Sequence, residues 1–217
     1  MGGSSKTTAS ATAISVTAAA DQPSTSAGQR PMRADARRNR DAVLAAAADA
    51  FAEHGVEASL EDVALKAGVG IGTLYRHFPT REDLVFATYQ REVELLSQSA
   101  PELLAELPPA DALREWMRRF VRYAATKRGM VGMLRTLMQT RAEMFADTKQ
   151  LINGAAQQLL VAAAGAGGIR GDITSEELMR SMGGICMAND QSGPPDTASR
   201  LVDLVFDGLR YGAPGRE

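Results

Sequence analysis

The stretch that most constrains the fold of this chain runs from residue 67 to residue 78 and reads AGVGIGTLYRHF. One amphipathic helical pattern ends at Gly68, and a shorter one begins near Gly70 and ends before Pro79. Two helices joined by a few residues that include glycine are typical of a helix-turn-helix. The second helix carries hydroxyl, guanidinium and imidazole groups, which are types that can reach phosphates and base edges.

The sequence around this stretch adds helices on both sides. Apolar residues recur at spacings of three and four over about 37–54, which predicts a first helix that ends at Gly55. Ser59 is a good N-cap for the next helix, and Asp62 stands where a capping box would place its carboxylate. A second N-cap signal at 80–83 opens a further helix.

The rest of the chain shows helical patterns, with no strand alternation longer than a few residues and no internal repeat. Residues 97–109 contain three prolines and predict a connector with a short helical piece inside it. The helical patterns that follow cover about 110–127, 130–140, 143–164, 175–187 and 197–211. We therefore expect an all-α fold of about nine helices.

Residues 1–31 are rich in Ala, Ser, Thr and Gly and have no apolar period, so we expect a disordered tail, either a solvated extension or a functional one. The ordered chain then divides into a domain over 32–80 and a larger helical domain over 81–217.

Charge and cysteine content narrow the class of protein. The net charge is only −2, but five arginines and one acid fall between residues 30 and 40, a local excess that could meet a polyanion or simply solubilise the chain. The single cysteine excludes an internal disulfide and fits a reducing compartment. No apolar run approaches the ~20 residues of a membrane span and no secretory signal is visible, so we expect a cytoplasmic protein without membrane partners.

The number and positions of the histidines argue against an enzyme. The chain has two histidines, His54 and His77, both in its N-terminal half and neither three residues after a glutamate. A helical di-metal site needs repeated Glu-x-x-His pairs, and a hydrolase needs a base that the C-terminal domain does not offer. The glycine run at 68–72 lacks both the spacing and the Lys-Ser/Thr of a phosphate loop. We expect no catalytic activity, no metal and no cofactor.

The sequence resembles the DNA-binding domain of TetR-family transcriptional regulators over about residues 36–84. The segments that carry the resemblance are FAEHG at 51–55, SLEDVA at 59–64, AGV at 67–69, GTLYRHF at 72–78 and REDL at 81–84. The resemblance implies a three-helix head that binds double-stranded DNA, and a helical domain that binds a small molecule and forms a homodimer through its last two long helices. It also implies a repressor of a near-palindromic operator, released by an unknown effector. A DNA-binding regulator or adaptor with no small-molecule ligand stays open as the alternative.

The DNA contacts follow from the same resemblance. It implies that Ile71, Gly72 and Thr73 meet base edges, that Tyr75, His77 and Arg81 meet phosphates, and that Ser59 meets the DNA backbone. Arg37 and Arg38 belong to a basic arm that could track phosphates. His77 could equally be solvated or a helix cap. Because Gly70 and Ile71 stand where relatives often carry polar residues, we expect methyl contacts and close backbone approach more than a dense hydrogen-bond code.

The larger domain offers an apolar set from which an effector cavity could be built. The candidate lining residues are Trp116, Phe120, Tyr123, Met133, Leu137, Met138 and Met182. Methionines suit adaptable pockets, although each one taken alone is more often a core residue. Arg135, Gln139 and Asn153 are possible polar anchors or surface groups. Cys186 fits a buried inert thiol better than a redox sensor.

Overall fold

The computed structural model describes residues 29–140, 142–188 and 197–212, and its secondary structure within those ranges is entirely helical. The eight α-helices are α1 Gln29–His54, α2 Leu60–Lys66, α3 Ile71–His77, α4 Arg81–Glu106, α5 Pro109–Thr140, α6 Ala146–Gly165, α7 Ser175–Ala188 and α8 Thr197–Arg210. Short 3₁₀ turns cover Gly55–Glu57 and Ala142–Phe145. The all-α prediction is confirmed. None of the helices in these ranges has an apolar stretch long enough to cross a bilayer.

Helix α1 begins at Gln29, eight residues before the predicted start at residue 37. The extension escaped prediction because residues 34–40 are all exposed and therefore show no apolar period. Pro31 falls in the first turn, where a missing N–H costs nothing. The predicted disordered tail falls mainly on residues 1–28, which lie outside the described residues.

The predicted connector over 97–109 is wrong, because α4 continues through Pro101 to Glu106. A proline inside a helix removes one backbone hydrogen bond and crowds the preceding turn. Just before it, the Leu96 carbonyl accepts hydrogen bonds from the Ser99 hydroxyl at 2.7 Å and from the Trp116 indole at 3.0 Å. These side-chain donors add hydrogen bonds to backbone beside the proline, and the Trp116 bond ties α4 to α5.

The predicted break between 127 and 130 is also wrong, because α5 is one helix through Gly129. This uninterrupted helix explains why eight α-helices replace the nine expected in the described parts of the chain.

A single apolar core runs from the N-terminal head into the larger domain. In the head, α1, α2 and α3 bury Val43, Phe51, Val63 and Leu74. The long helix α4 packs against α1, α5 and α6, so its buried face belongs to both domains. Because α4 packs in both parts of this core, a movement of α4 is transmitted between the head and the larger domain.

Helix α8 closes the bundle through charged and aromatic contacts. Asp203 accepts hydrogen bonds from Arg114 at 2.9 Å and Arg118 at 3.0 Å, both on α5. The Arg114 guanidinium also lies 5.6 Å from the centre of the buried Phe206 ring. The Arg170 amide donates to the Leu209 carbonyl at 2.8 Å, which fixes the end of α8 against the loop after α6.

Candidate DNA-reading head and effector cavity

Both ends of α2 are capped, and the cap at its C-terminal end forms the turn to α3. The Ser59 hydroxyl accepts from the Asp62 amide at 3.1 Å, as predicted for an N-cap. The same hydroxyl donates to Glu61 at 3.3 Å. Of the predicted capping box, the described hydrogen bonds include only the one from the Asp62 amide to Ser59. Gly68 takes the left-handed conformation with φ of 69°, and the Val69 amide reaches back to Ala64 at 3.0 Å. A residue with a β-carbon would be strained at Gly68.

Helix α3 presents one face of mixed polarity outward. Leu74 and, just after the helix, Phe78 are buried, which fixes the rotation of α3 about its axis. Gly72 and Arg76 are exposed, Ile71 is 36% exposed and Tyr75 is 45% exposed. Positions four apart share a helix face, so these four residues form the outer surface of α3. We call them the reading face.

Two predicted DNA contacts sit beside the reading face rather than on it. Thr73 and His77 are both half-buried, and the His77 ring lies 6.2 Å from the Phe78 ring. Arg76 was not among the predicted contacts, although its position four residues after Gly72 was a usable signal. Its exposed guanidinium adds a cation to the reading face.

Arg81 has an intramolecular role that the sequence did not reveal. Its Nη1 atom donates to the carbonyl of Val56 and, at 2.7 Å, to the carbonyl of Ala58. A cation at the first position of α4 is unfavourable to the helix dipole, and these carbonyls offset that cost. The side chain therefore fastens α4 to the turn between α1 and α2. Thr80 and Asp83 complete the junction with a full capping box.

The basic arm lies along the N-terminal half of α1. Arg37 and Arg38 are exposed, and Arg38 pairs with Asp35 one turn earlier. Arg40 lies 5.5 Å from the centre of the Phe78 ring, a cation–π distance that links α1 to the end of α3. The arm is thus attached to the same side of the head as the C-terminal end of α3.

An aromatic cavity of about 300 Å³, open to solvent on one side, lies in the larger domain. Residues of α4, α5, α6, α7 and the second 3₁₀ turn line it; the described lining residues are Tyr89, Phe120, Tyr123, Lys127, Met138, Phe145, Thr148, Lys149, Ile152, Asn153 and Met179. Another depression, along α8 from Thr197 to Asp207, is lined by a single helix. We call the aromatic one the effector cavity.

Three of the predicted lining residues, Phe120, Tyr123 and Met138, line this cavity. The other four pack elsewhere: Trp116, Leu137 and Met182 are buried in the core, and Met133 packs against it. Asn153 lines the cavity, whereas Arg135 and Gln139 are exposed outside it. The sequence missed Tyr89, Phe145 and Thr148, because nothing local signals that α4 and the second 3₁₀ turn meet here.

Aromatic rings and hydroxyls form a connected wall of the effector cavity. The Tyr89 ring lies 5.5 Å from Phe145 and 6.5 Å from Tyr123. The Tyr89 hydroxyl donates to the Thr148 hydroxyl at 3.2 Å, which donates to the Phe145 carbonyl at 2.7 Å. Burial raises the pKa of Tyr123 well above its usual range, and its hydrogen bond with Tyr89 adds to the shift. Tyr123 is therefore a neutral hydroxyl at any physiological pH.

Two segments of the chain match known protein families. Residues 43–88 match the family model of bacterial regulatory proteins of the tetR family. Residues 108–211 match the model of the C-terminal domain of SbtR-like transcriptional regulators.

Solved structures give the same result over the whole fold. A TetR transcriptional regulator from Streptomyces coelicolor is 50% identical, covering 79% of this chain and 98% of its own, with a TM-score of 0.72. A TetR transcription regulatory protein from Mycobacterium vanbaalenii is 33% identical, covering 83% and 99%, with a TM-score of 0.66. The chain belongs to the TetR family of DNA-binding transcriptional regulators.

Among curated proteins, HTH-type transcriptional regulators of Staphylococcus aureus are 42% identical over 65 residues. That match spans 30% of this chain and 35% of the curated relative. Its similarity is therefore confined to a segment the length of a DNA-binding head.

Proposed function

We propose that this regulator is a ligand-responsive repressor that binds a near-palindromic operator as a homodimer and is released by a small molecule. The observation that carries the proposal is the path of α4. Its N-terminus is fastened to the reading head by Arg81 and Thr80, and its residue Tyr89 lines the effector cavity. The helix from Arg81 to Tyr89 spans about 12 Å. A ligand that displaces Tyr89 would therefore move the N-terminal end of α4, to which the head is attached.

The proposed DNA contacts follow the exposure of α3. Ile71, Gly72 and Thr73 lie in its first turn, where the N-terminal end of a recognition helix meets base edges. Tyr75 and His77 meet phosphates, to which we now add Arg76. The exposed Ser59 and the arm residues Arg37 and Arg38 contact the DNA backbone on either side.

Arg81 differs from the other proposed contacts. Because its Nη1 already holds two backbone carbonyls, we propose that its main role is to position the head, and that any phosphate contact is made by the remaining guanidinium nitrogens.

The proposed homodimer forms through α7 and α8. Large apolar side chains are exposed on both helices, with Met187 at 86% and Leu204 at 68%. Packing these helices against a second copy would remove that apolar surface from water. The dimer would hold two reading heads about 34 Å apart, or a multiple of it, to match successive major grooves.

Release requires that the ligand prefer a state with the wrong spacing of the heads. A coupling free energy of roughly 1–3 kcal/mol weakens operator binding about 5- to 150-fold. A ligand with equal affinity for both states would bind without releasing the DNA.

Footprinting on the DNA upstream of the chain's own gene, followed by fluorescence anisotropy at two salt concentrations, tests the proposal. We expect protection of a near-palindromic site and binding tighter than to random DNA of the same length. Binding no tighter than to random DNA at either salt would contradict the specific-regulator reading. Specific binding that no small molecule weakens would favour a regulator or adaptor without a ligand.

A further inference from the structure

We propose that the effector cavity takes an aromatic carboxylic acid, with its ring against the Tyr89–Phe145–Tyr123 wall and its carboxylate at Lys127. The inference rests on the proposed function, because it names the class of effector for that same cavity. It is carried by the shape, the charge and the size of the lining.

The shape of the wall favours a flat ring. Four aromatic side chains line the cavity, and the Phe120 and Tyr123 rings lie 5.7 Å apart in the same continuous surface as Tyr89 and Phe145. Offset and edge-to-face contacts between rings add stabilisation beyond the burial of apolar area. Met138 and Met179 supply adaptable thioether contacts at the edges.

The charge of the lining favours an anion. Lys127 and Lys149 both line the cavity, and no aspartate or glutamate does among the residues that the structure describes. Lys127 is half-buried, with its ammonium 5.8 Å from the centre of the Tyr89 ring, and it has no carboxylate within 4 Å in the described parts of the chain. Lys149 is exposed, so it contributes long-range attraction more than a fixed contact.

Two described acids that interact with lining residues are already paired. Glu92, which acts on Tyr123, pairs with Arg91 at 3.2 Å. Glu176, which acts on Lys149, pairs with Arg180 at 2.8 Å. A bound carboxylate would therefore meet the lysine at the mouth of an apolar site without displacing an internal partner.

The size of the cavity limits the ligand. Its volume of about 300 Å³ is twice the ~150 Å³ of a cavity that holds one benzene ring. A substituted benzoate or a bicyclic aromatic acid fits within it, whereas most of a coenzyme A thioester would lie outside. Asn153 offers hydrogen bonds to a ring substituent, because it has no protein partner among the described residues.

The test is calorimetric binding to the full-length protein of benzoate, salicylate, indole-3-acetate and 2-naphthoate, each beside its neutral amide, with octanoate as an aliphatic acid. We expect at least one aromatic acid to bind about tenfold tighter than its amide, because a charge-assisted hydrogen bond replaces a neutral one. No binding across the panel, equal affinity of acid and amide, or a preference for octanoate would overturn the proposal.

Three lysine variants locate the anion. Lys127→Met should remove the preference for acid over amide and leave amide affinity within about twofold, whereas Lys127→Arg should retain the preference. Lys66→Met, which alters an exposed lysine of the head paired with Asp49 at 2.8 Å, serves as the matched control and should change neither affinity. A preference that survives Lys127→Met would overturn the assignment of the carboxylate.

Anisotropy with the operator fragment separates this inference from the proposed function. An aromatic acid that binds with the predicted preference but leaves operator affinity unchanged would support the ligand class and contradict ligand-induced release. Release by a neutral or aliphatic compound, with no acid bound, would support the regulator and overturn the ligand class.

Discussion

The backbone carbonyl oxygen of Phe51 faces Gly129 so closely that a β-carbon built on that glycine would lie 1.7 Å from the oxygen. Phe51 is in the last turns of α1 and Gly129 is in the middle of α5, so this contact joins the reading head to the larger domain. Gly55, with φ of 69°, completes the junction, because its own β-carbon would lie 3.4 Å from the Gly129 carbonyl. Only glycine at position 129 permits the two backbones to approach this far.

Gly129→Ala should therefore separate α1 from α5. No flexible side chain can absorb the overlap, because the opposing atoms are backbone. We expect the free energy of unfolding to fall by about 1–3 kcal/mol, as in overpacked cores, and operator affinity to fall with it. Urea denaturation and fluorescence anisotropy measure the two effects.

The matched control is Gly132→Ala, three residues later on the same helix, where a β-carbon meets nothing within 4 Å. Alanine is the better helix former, so this variant should gain roughly 0.5–1 kcal/mol in stability. Equal effects of the two substitutions would show that Gly129 matters only through helix propensity.

The sequence could predict the local structure around Gly129 only in part. A glycine between two apolar stretches is compatible with either a helix end or a close backbone contact, and the sequence alone favoured a helix end at Gly129. The glycines at 55 and 68 were assigned correctly, because another short helix begins a few residues later in each case, and the one after Gly55 is capped by Ser59. At residue 129 no such cap follows, and the partner that requires the glycine lies 78 positions away in sequence (129 − 51).

Arg81→Ala should destabilise the head. The guanidinium holds the carbonyls of Val56 and Ala58, and hydrogen bonds from a charged donor are worth about 1.5–3 kcal/mol. Because the side chain is only half-buried, we expect a loss near the lower end, measured as a drop in the urea midpoint. Arg81→Lys keeps the charge but cannot span both carbonyls, so it should recover only part of the loss. Unchanged stability combined with a weaker salt dependence of DNA binding would assign Arg81 to a phosphate instead.

Thr73 and Arg76 should separate base reading from phosphate binding. Thr73→Ala should cost about 1–3 kcal/mol of discrimination between the operator and a mismatched site, because a base contact is lost. Thr73→Ser, which keeps the hydroxyl and removes the methyl, shows which of the two groups reads the base. Arg76→Ala should weaken all sequences alike and reduce the slope of log affinity against log salt by about one. Equal loss on operator and random DNA in both alanine variants would contradict this division.

The effector cavity shows where sequence reasoning stops. Phe120 and Tyr123 were found because one helix carries them on one face. Tyr89 and Phe145 were missed because they come from elements separated by the whole of α5, and only tertiary packing brings their rings to 5.5 Å. Trp116 was misplaced for the opposite reason: a large aromatic residue beside Phe120 suits a cavity by composition, but its indole is used to hold the Leu96 carbonyl.

Cys186 should react slowly with thiol reagents. Burial raises its pKa, and the charge of Arg128 offsets only part of the shift, so the thiol stays protonated at neutral pH. Arg128 donates to the Cys186 carbonyl at 3.1 Å, which holds this part of α7 against α5. Alkylation by iodoacetamide at pH 7 should be much slower in native protein than in urea, followed by intact mass. A native rate equal to that of the unfolded chain would point to a reactive thiol.

Asp203 should make part of the stability depend on pH. Burial raises the pKa of its carboxyl, but the hydrogen bonds and charges of Arg114 and Arg118 outweigh that effect, and the pKa is lowered overall. The folded protein therefore binds this proton less readily than the unfolded chain does. The stabilisation is complete above the unfolded pKa of about 3.9 and is lost as the pH falls through the lower folded value.

Asp203→Asn removes that dependence. With a third of the side chain exposed, solvent screens the pairs, and we expect the variant to lose about 1 kcal/mol at pH 7. The difference from the wild type should narrow as the pH falls toward 3, because the wild-type carboxyl then becomes neutral like the amide. Urea denaturation at pH 7, 5 and 3 measures it. The control is Asp207→Asn, which alters an exposed acid one turn later on α8 and should show no such convergence. A constant difference between Asp203→Asn and the wild type at all three pH values would mean that the arginines pack against α8 without a charge effect.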